Sequence, residues 1–231
     1  MHIGRRLAQG VSSWLKFEFH CSRGHLFEEK YLSYPIGQIL FSEYGKKLVS
    51  ELNHPLLTEH TVGAGKRPKM DFAVLQGEDI ILSLEAKWAG STPLKVEDII
   101  WDLIRLELMA SHYGCEAFFL LAGQRKKIKA LFESSAFLAP HEKRSPRPIL
   151  KDGVRRSMAM RLDHPPKQRE VIIKRLLSKY PEIEMPSKIS SGKPFIYPAA
   201  CNSSDFQVYV WKIEPSIPRK SFLAKGHSLY A

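Results

Sequence analysis

The chain has 231 residues, 44% of them hydrophobic and 26% charged, which is the composition of a soluble globular protein. Its 35 Lys and Arg against 24 Asp and Glu give a net charge of +11, which favours a polyanionic partner, nucleic acid before a membrane. No apolar run reaches the roughly 18 residues of a membrane span, and the three widely spaced cysteines do not suggest a disulfide framework. We therefore expect a cytoplasmic protein without a membrane partner.

The first 34 residues are expected to form a strand pair. Residues 14–21 alternate apolar and polar side chains, and Ser22-Arg23-Gly24 supplies a turn before a second run. His20, Cys21 and His25 lack a second Cys/His pair at finger-like spacing, so structural or surface roles are favoured over zinc binding.

Residues 35–52 predict the first long helix, with Pro35 in its first turn. At about 100° per residue, Glu43 falls within the apolar face, where a carboxylate is costly unless it is paired or binds a metal ion. Glu51 is the second candidate on this helix. The alternative, a slightly rotated helix that exposes both glutamates, stays open.

Residues 55–62 are expected to form the first strand, followed by a glycine-containing basic loop. Lys66, Arg67 and Lys69 in that loop are candidates for contact with a phosphate backbone, and a plain solvated loop is the alternative.

A hairpin is predicted next. Two apolar runs, residues 70–75 and 80–84, flank the turn-prone Gln76-Gly77-Glu78-Asp79. Asp71 opens the first run, and Glu85 and Lys87 follow the second. Because side chains alternate along a strand, Glu85 and Lys87 share a face, and the hairpin returns Asp71 beside them.

These charged residues have a ready chemical use. Two carboxylates, from Asp71 and Glu85, together with the Ala86 carbonyl make a hard oxygen site suited to Mg²⁺, for which Mn²⁺ can substitute. Such a metal can activate water and neutralise charge on a phosphodiester, and Lys87 can orient that water or stabilise the charged phosphorus centre. A salt bridge on a solvated strand end is the alternative explanation.

At Asp71…Glu85-Ala86-Lys87 the chain resembles the PD-(D/E)xK nuclease superfamily, although Met70 stands where the motif has its proline. The resemblance spans roughly residues 35–122. It implies a restriction-endonuclease-like α/β core of helix, three-stranded antiparallel meander, helix and strand, with the motif on the second and third strands. Many members also use a glutamate of the first helix at the metal site, which makes Glu43 the candidate for that role.

The expected elements continue after the motif. Residues 95–111 predict a helix with a stripe of apolar side chains and acidic early turns, and Trp101 can stack on Arg105 four residues later. Residues 115–122 read as a buried strand, and residues 124–137 as a short basic helix.

The C-terminal third is strongly basic. Residues 143–179 hold 12 Lys or Arg and three acids, a net charge of +9. An amphipathic helix is expected from residue 166 to 180, with Val171 on its packed side and Arg169 on its outer side, and a late strand over residues 205–213. The basic side chains proposed to contact nucleic acid here are Arg155, Arg156, Lys174 and Arg175. An acidic partner protein is the alternative ligand for this region.

We therefore expect a nuclease-like core at residues 35–138, between a strand extension at 1–34 and a basic extension at 139–231. The predicted function is Mg²⁺-dependent hydrolysis of nucleic acid, DNA ahead of RNA. Two alternatives remain: a non-catalytic nucleic-acid-binding or assembly protein that retains the fold, and a nuclease subunit active only in a complex. The oligomeric state stays open, a dimer included.

Overall fold

The computed structural model describes residues 2–60, 67–90, 92–152, 158–215 and 220–229. Within them the fold is mixed α/β. The helices are α1 Ile3–His20, α2 Glu29–Tyr44, α3 Val96–Tyr113, α4 Arg125–Glu133, α5 Ser135–Leu138 and α6 Lys167–Leu177. The strands are β1 Leu48–Asn53, β2 Lys69–Gln76, β3 Asp79–Ala89, β4 Glu116–Gln124, β5 Met158–Arg161, β6 Glu184–Pro186, β7 Lys188–Ser191, β8 Phe195–Tyr197, β9 Phe206–Glu214 and β10 Ser221–Leu223.

Eight strands form one mostly antiparallel sheet. Its order is β1-β2-β3-β4-β9-β7-β5, with β8 paired to β9, and β10 and β6 form a separate pair. The first three strands make an antiparallel meander, and β4 lies parallel to β3 after the α3 crossover. The ends of β3 and β4 approach so closely that a Cβ at Gly123 would lie 2.4 Å from the Ala89 carbonyl oxygen. Only glycine, which has no Cβ, fits at this position.

Helices cover both faces of the sheet. On one face, α1 and α2 bury a stripe of aliphatic side chains against alternate residues of β2, β3, β4 and β9. On the other face, α3 and α6 pack on the residues in between. Two apolar cores, one on each side of the sheet, are the main favourable term for the fold.

The hairpin and the elements after it are confirmed. β2 and β3 pair antiparallel, and Gly77 adopts a φ of +67° in the turn between them, a conformation that glycine adopts without a steric cost. The helix over residues 96–113, the buried strand β4 and the late strand β9 also form. β9 joins the main sheet beside β4, so the C-terminal third completes the sheet.

The N-terminal strand pair is wrong, because residues 3–20 form the helix α1. Ile3, Leu7, Val11 and Leu15 recur at helical spacing and are buried, so the apolar stripe outweighs the short alternation that follows it.

The first predicted helix and strand are displaced. The helix begins at Glu29 and ends at Tyr44, with Pro35 inside it, and Gly45 at a φ of +56° ends it. Of the remaining residues, Gly45–Lys47 form a short 3-10 helix, and those from Leu48 onward belong to β1, which pairs with β2. The strand predicted over residues 55–62 is wrong in its described part, because Leu57 and Thr58 donate back to the His54 carbonyl in a turn.

The basic helix α6 is rotated relative to its prediction. Val171 is 76% exposed, whereas Arg169 and Ile173 are buried. Arg169 donates to the carbonyl groups of Ala136, Phe137 and Arg147, which satisfies its buried guanidinium. Arg169 is therefore a structural cation.

No helix in the described part of the chain is long and apolar enough to cross a bilayer. The three cysteines are free thiols.

Candidate functional site

The motif residues lie at the end of the paired part of β2 and β3. Phe72 pairs with Leu84, which puts Asp71 opposite Glu85 at the next position along the hairpin. One Asp71 oxygen, Oδ2, accepts a hydrogen bond of 2.7 Å from the Ala86 backbone N–H. The strand that carries Glu85 and Lys87 therefore holds the Asp71 carboxylate directly.

Lys87 is held between two helices. Its Nζ lies 2.9 Å from Glu29 Oε1 at the start of α2 and 3.1 Å from Asp102 Oδ2 on α3. It also lies 3.4 Å from the Ala86 carbonyl oxygen, so that carbonyl faces the same cluster. Sequence reasoning named neither Glu29 nor Asp102 as a site residue.

Arg105 of α3 completes the cluster. Its Nη2 lies 3.1 Å from Glu85 Oε2 and 2.5 Å from Asp102 Oδ1, and its Nη1 donates to the Lys69 carbonyl. The predicted stacking partner Trp101 instead stacks on Tyr180, with ring centroids 5.0 Å apart. We call Glu29, Asp71, Glu85, Lys87, Asp102 and Arg105 the charged cluster.

A signal for Asp102 was present in the sequence. At about 100° per residue, Asp102 falls between Leu106 and Met109 on the helical wheel of α3 and thus within the apolar stripe. A carboxylate in that position needs a partner, and Arg105 lies one turn away.

The cluster holds more negative than positive charge. Its four carboxylates and two cations sum to a formal charge of −2 when all are ionised. Burial raises the pKa of Asp71 to about 6. Burial and then the Asp102 carboxylate raise the pKa of Glu85 well above its usual range, against the opposing effect of Arg105. A further cation would therefore stabilise the ionised carboxylates.

The two cations stay charged. Burial by itself would lower the pKa of Lys87, but the Asp102 and Glu29 carboxylates raise it above its usual range. Burial likewise opposes the charge on Arg105, and the Glu85 and Asp102 carboxylates raise its pKa. Lys87 is thus a donor and a fixed positive charge at neutral pH.

The donor set fits a hard divalent cation. Both oxygens of Glu85 are buried without a hydrogen bond within the described residues, and the Arg105 contact is an ion pair to Oε2 alone. The Asp71 and Glu85 carboxylates and the Ala86 carbonyl are oxygen ligands of the kind that Mg²⁺ prefers. Among the described residues, no three His, Cys, Asp or Glu side chains are arranged to hold a metal ion, so two side-chain ligands are the most this set supplies.

Glu43 lies elsewhere, and its assignment to the metal site is wrong. Its side chain is 45% exposed and forms an ion pair with Arg6 of α1. The helix begins six residues earlier than predicted. Glu43 lies on the same helical face as Leu32 and Ile36, but in the last turn before the helix ends at Tyr44, where its carboxylate meets Arg6 and not the core. The second candidate, Glu51, is an exposed residue of β1, 3.6 Å from Lys69 Nζ.

The basic candidates are scattered. Lys66, Arg155 and Arg156 lie outside the described residues. Arg67 is exposed just before β2, and Lys69 is exposed as the first residue of β2. On α6, Lys174 is exposed, and Arg175 forms a two-pronged ion pair with Glu97 at the start of α3. Arg175 therefore anchors α6 to α3.

Comparisons of the chain with protein-family models, with curated proteins and with solved structures found no match.

Proposed function

We propose that the protein is a metal-dependent nuclease of the PD-(D/E)xK type. The observation that carries the proposal is the contact of Asp71 with the Ala86 N–H, which brings both carboxylates and the lysine of the motif to one end of a sheet. The order α2, β1, β2, β3, α3, β4, with β4 parallel to β3, supports a restriction-endonuclease-like core around it.

Asp71, Glu85 and the Ala86 carbonyl would hold Mg²⁺, with Mn²⁺ as a substitute. When bound, the metal supplies an activated water and positive charge at the scissile phosphate. The Ala86 N–H fixes the orientation of the Asp71 carboxylate through Oδ2, which leaves Oδ1 to bind. Arg105 fixes Glu85 from the side of α3.

Lys87 acts as a cation and hydrogen-bond donor. Because Glu29 and Asp102 keep its Nζ protonated, it cannot take a proton from water at neutral pH. Its role is to orient the attacking water by donating to it and to stabilise the charge that develops on the phosphate oxygens. Asp102 and Glu29 set the position of Nζ for that role.

The substrate is nucleic acid, DNA ahead of RNA, in keeping with the net charge of +11. The opposing observation is that both cations of the cluster are already paired, which favours a non-catalytic nucleic-acid-binding or assembly protein. A nuclease that needs a partner chain is a third form of the proposal, and it predicts activity that appears when that partner is added.

The test is cleavage of single- and double-stranded DNA and RNA with Mg²⁺ or Mn²⁺. Asp71→Asn keeps an oxygen for the Ala86 N–H, and Lys87→Met keeps the apolar stem, so both preserve the shape of the site. Each is expected to lower the cleavage rate by at least about 100-fold. Glu43→Gln is the matched control, since it removes a carboxylate outside the cluster. Full activity in both site variants would refute the assignment. Salt-sensitive binding without cleavage by the wild type would favour the non-catalytic alternative.

A further inference from the structure

Four aromatic rings form a continuous row beside the charged cluster. Phe206, at the start of β9, is the central ring and contacts the other three. Its ring centroid lies 5.4 Å from that of Phe19, 5.1 Å from that of Phe27 and 6.0 Å from that of Trp88. Phe27 and Trp88 also meet edge to face at 5.8 Å. We call Phe19, Phe206, Phe27 and Trp88 the aromatic row.

The topology explains why the row lies there. Ala89 of β3 pairs with Gly123 of β4, and Gln124 pairs with Phe206 of β9, so the ends of β3 and β4 and the start of β9 meet at one edge of the sheet. Trp88 directly follows Lys87 in the chain. Because side chains alternate along β3, the Trp88 ring lies on the α1 and α2 side of the sheet, on the opposite face from Lys87. The row and the charged cluster therefore approach each other only at the end of β3, where Glu29 contacts Lys87.

Two cavities adjoin the row. One, of about 620 Å³, is lined by Phe27, Trp88 and Glu29, and the carboxylate of Glu29 is the one that binds Lys87. The other, of about 320 Å³, is lined by Phe19, Phe206 and Tyr197 together with polar and basic side chains, among them Lys16, His20, Gln124 and Asp205. Both volumes fall in the range of about 300–1,000 Å³ typical of small-molecule sites.

The rings are partly open to solvent. Phe19 is 52% exposed, and the other three are half-buried. Rings that served only to close the core at the end of the sheet would be expected to be covered, whereas these are partly exposed and line two cavities.

Exposed cations flank the far cavity. The helix α4 begins directly after Gln124, which lines that cavity, and carries Arg125, Lys126, Lys127 and Lys129 on its exposed surface. The nearby acids include Asp205, which accepts from the Asn202 N–H, Glu133, 3.7 Å from Lys129, and Asp152, which lines a cavity together with Arg125 and Lys129. Cations therefore outnumber acids at this end of the row.

We propose that the aromatic row binds the unpaired bases of single-stranded nucleic acid, with α4 and Lys16 contacting its phosphates. Stacking platforms combined with a basic flank are the general means of holding single strands, because every base has an aromatic face. In a duplex those faces are already stacked on each other. The inference rests on the proposed function and deepens it: the strand runs along the row and around the end of β3, where Glu29 joins the cavity to Lys87, so the substrate is a single strand or a single-stranded end.

Binding is measured in EDTA by fluorescence anisotropy, so that cleavage does not interfere. The probes are labelled DNA and RNA strands of about 12 nucleotides, within the usual site size of single-strand binders. An abasic DNA strand of the same length retains the phosphates and lacks the bases, and a duplex of the same sequence retains both. We expect both single strands to bind at least about 5-fold more tightly than the abasic strand and the duplex. A roughly 5-fold difference in affinity corresponds to the loss of one stacking contact.

Two variants on the same helix test the row. Phe19→Ala removes an exposed ring of the row and is expected to weaken single-strand binding by about 5- to 100-fold, with little effect on abasic DNA. Phe17→Ala is the matched control, because Phe17 is 62% exposed two residues away and lies outside the row. Its affinity for single strands is expected to match that of the wild type. Phe206→Ala, in which the central ring is removed, is expected to weaken binding at least as much as Phe19→Ala.

Equal binding of the abasic and intact strands would overturn the inference, as would equal losses in the Phe19 and Phe17 variants. Cleavage of duplex DNA in Mg²⁺ without preferential single-strand binding would reject this inference and keep the proposed function. Preferential single-strand binding that depends on Phe19, without cleavage, would keep the inference and reject the proposed function.

Discussion

Arg105 Nη2 lies 3.1 Å from Glu85 Oε2, so the helix that follows the motif supplies the cation for the motif glutamate. The same guanidinium lies 2.5 Å from Asp102 Oδ1, and Asp102 in turn contacts Lys87. The charged residues of β3 are thus tied to α3 through two ion pairs in a buried setting. The geometry of the candidate site depends on how α3 packs on the sheet.

The first prediction concerns Arg105. Arg105→Met is expected to lower the free energy of unfolding by about 3–5 kcal/mol in EDTA, because Glu85 and Asp102 would be left buried without their cation. Urea denaturation measures the change. The double variant Arg105→Met with Glu85→Gln is expected to recover part of the loss, since the charge that lost its partner is also removed. A loss below about 1 kcal/mol in the single variant would mean that the pair contributes no more than a surface salt bridge.

The second prediction links Mg²⁺ to pH through Asp71. The folded-state pKa of Asp71 is raised to about 6 from an ordinary 3.8, so the folded protein keeps this proton more readily than the unfolded chain. Its contribution to stability is full below about pH 4 and is lost as the pH rises through about 6. Mg²⁺ bound at the proposed site would compete with that proton, so the increase in melting temperature caused by Mg²⁺ is expected to be small at about pH 5 and larger at about pH 7.5.

Asp71→Asn is the control for this measurement, because it cannot titrate. Its melting temperature is expected to respond little to Mg²⁺ at either pH. Comparing each sample with and without Mg²⁺ cancels the titration of groups away from the metal, whereas Glu85, the other proposed ligand, adds to the pH dependence in the same direction. An equal Mg²⁺ response at both pH values, or a response retained in Asp71→Asn, would place the metal elsewhere.

The motif strands could be predicted because their signals are local. The turn at Gln76–Asp79 and the alternation on each side of it depend on residues within one hairpin, and β2 and β3 form as expected. The position of Asp71 beside Ala86 follows from the same register. The continuous apolar run over residues 115–122 likewise predicts a buried strand, and β4 lies in the interior of the main sheet between β3 and β9.

The rest of the site depends on contacts between elements distant in the chain. Glu29 and Lys87 are 58 residues apart in sequence, and no local pattern connects them. The error over Glu43 has the same origin: Glu43 lies on the expected face of the helix, but it is in the last turn and pairs with Arg6 of α1, 37 residues away in sequence. Tertiary packing tolerates Pro35 within the helix, which propensity alone does not predict.

The third prediction separates Asp102 from Glu43. Asp102→Asn removes the buried carboxylate that faces Lys87 and Arg105, so it is expected to lower the cleavage rate by at least about 10-fold through a misplaced Lys87. Glu43→Gln breaks an exposed ion pair with Arg6, which is expected to cost about 0–1 kcal/mol of stability and to leave cleavage unchanged. Kinetic assays beside urea denaturation compare the two. The opposite ranking of the two variants in cleavage would restore Glu43 to the site.

The last prediction concerns acid stability and His54, which is buried behind α3. The Leu56 N–H donates to its Nδ1 at 3.3 Å, so its Nε2–H donates to the Arg105 carbonyl, also at 3.3 Å. Burial lowers the pKa of His54 to about 4 from an ordinary 6.5. A protonated ring would place a second N–H against that of Leu56, so the folded state favours the neutral form.

The sign follows from that depressed pKa. The unfolded chain binds the proton first, so the contribution of neutral His54 is full above about pH 6.5 and is lost as the pH falls to about 4, a total of roughly 3 kcal/mol. Urea denaturation in EDTA at several pH values is expected to show this loss in the wild type relative to His54→Asn, which cannot titrate. The difference between the two proteins cancels the opposite contribution of Asp71. His112→Asn, at an exposed position of α3, is the control and is expected to follow the wild type. Parallel pH profiles for the wild type and His54→Asn would show that the buried imidazole does not govern the response to acid.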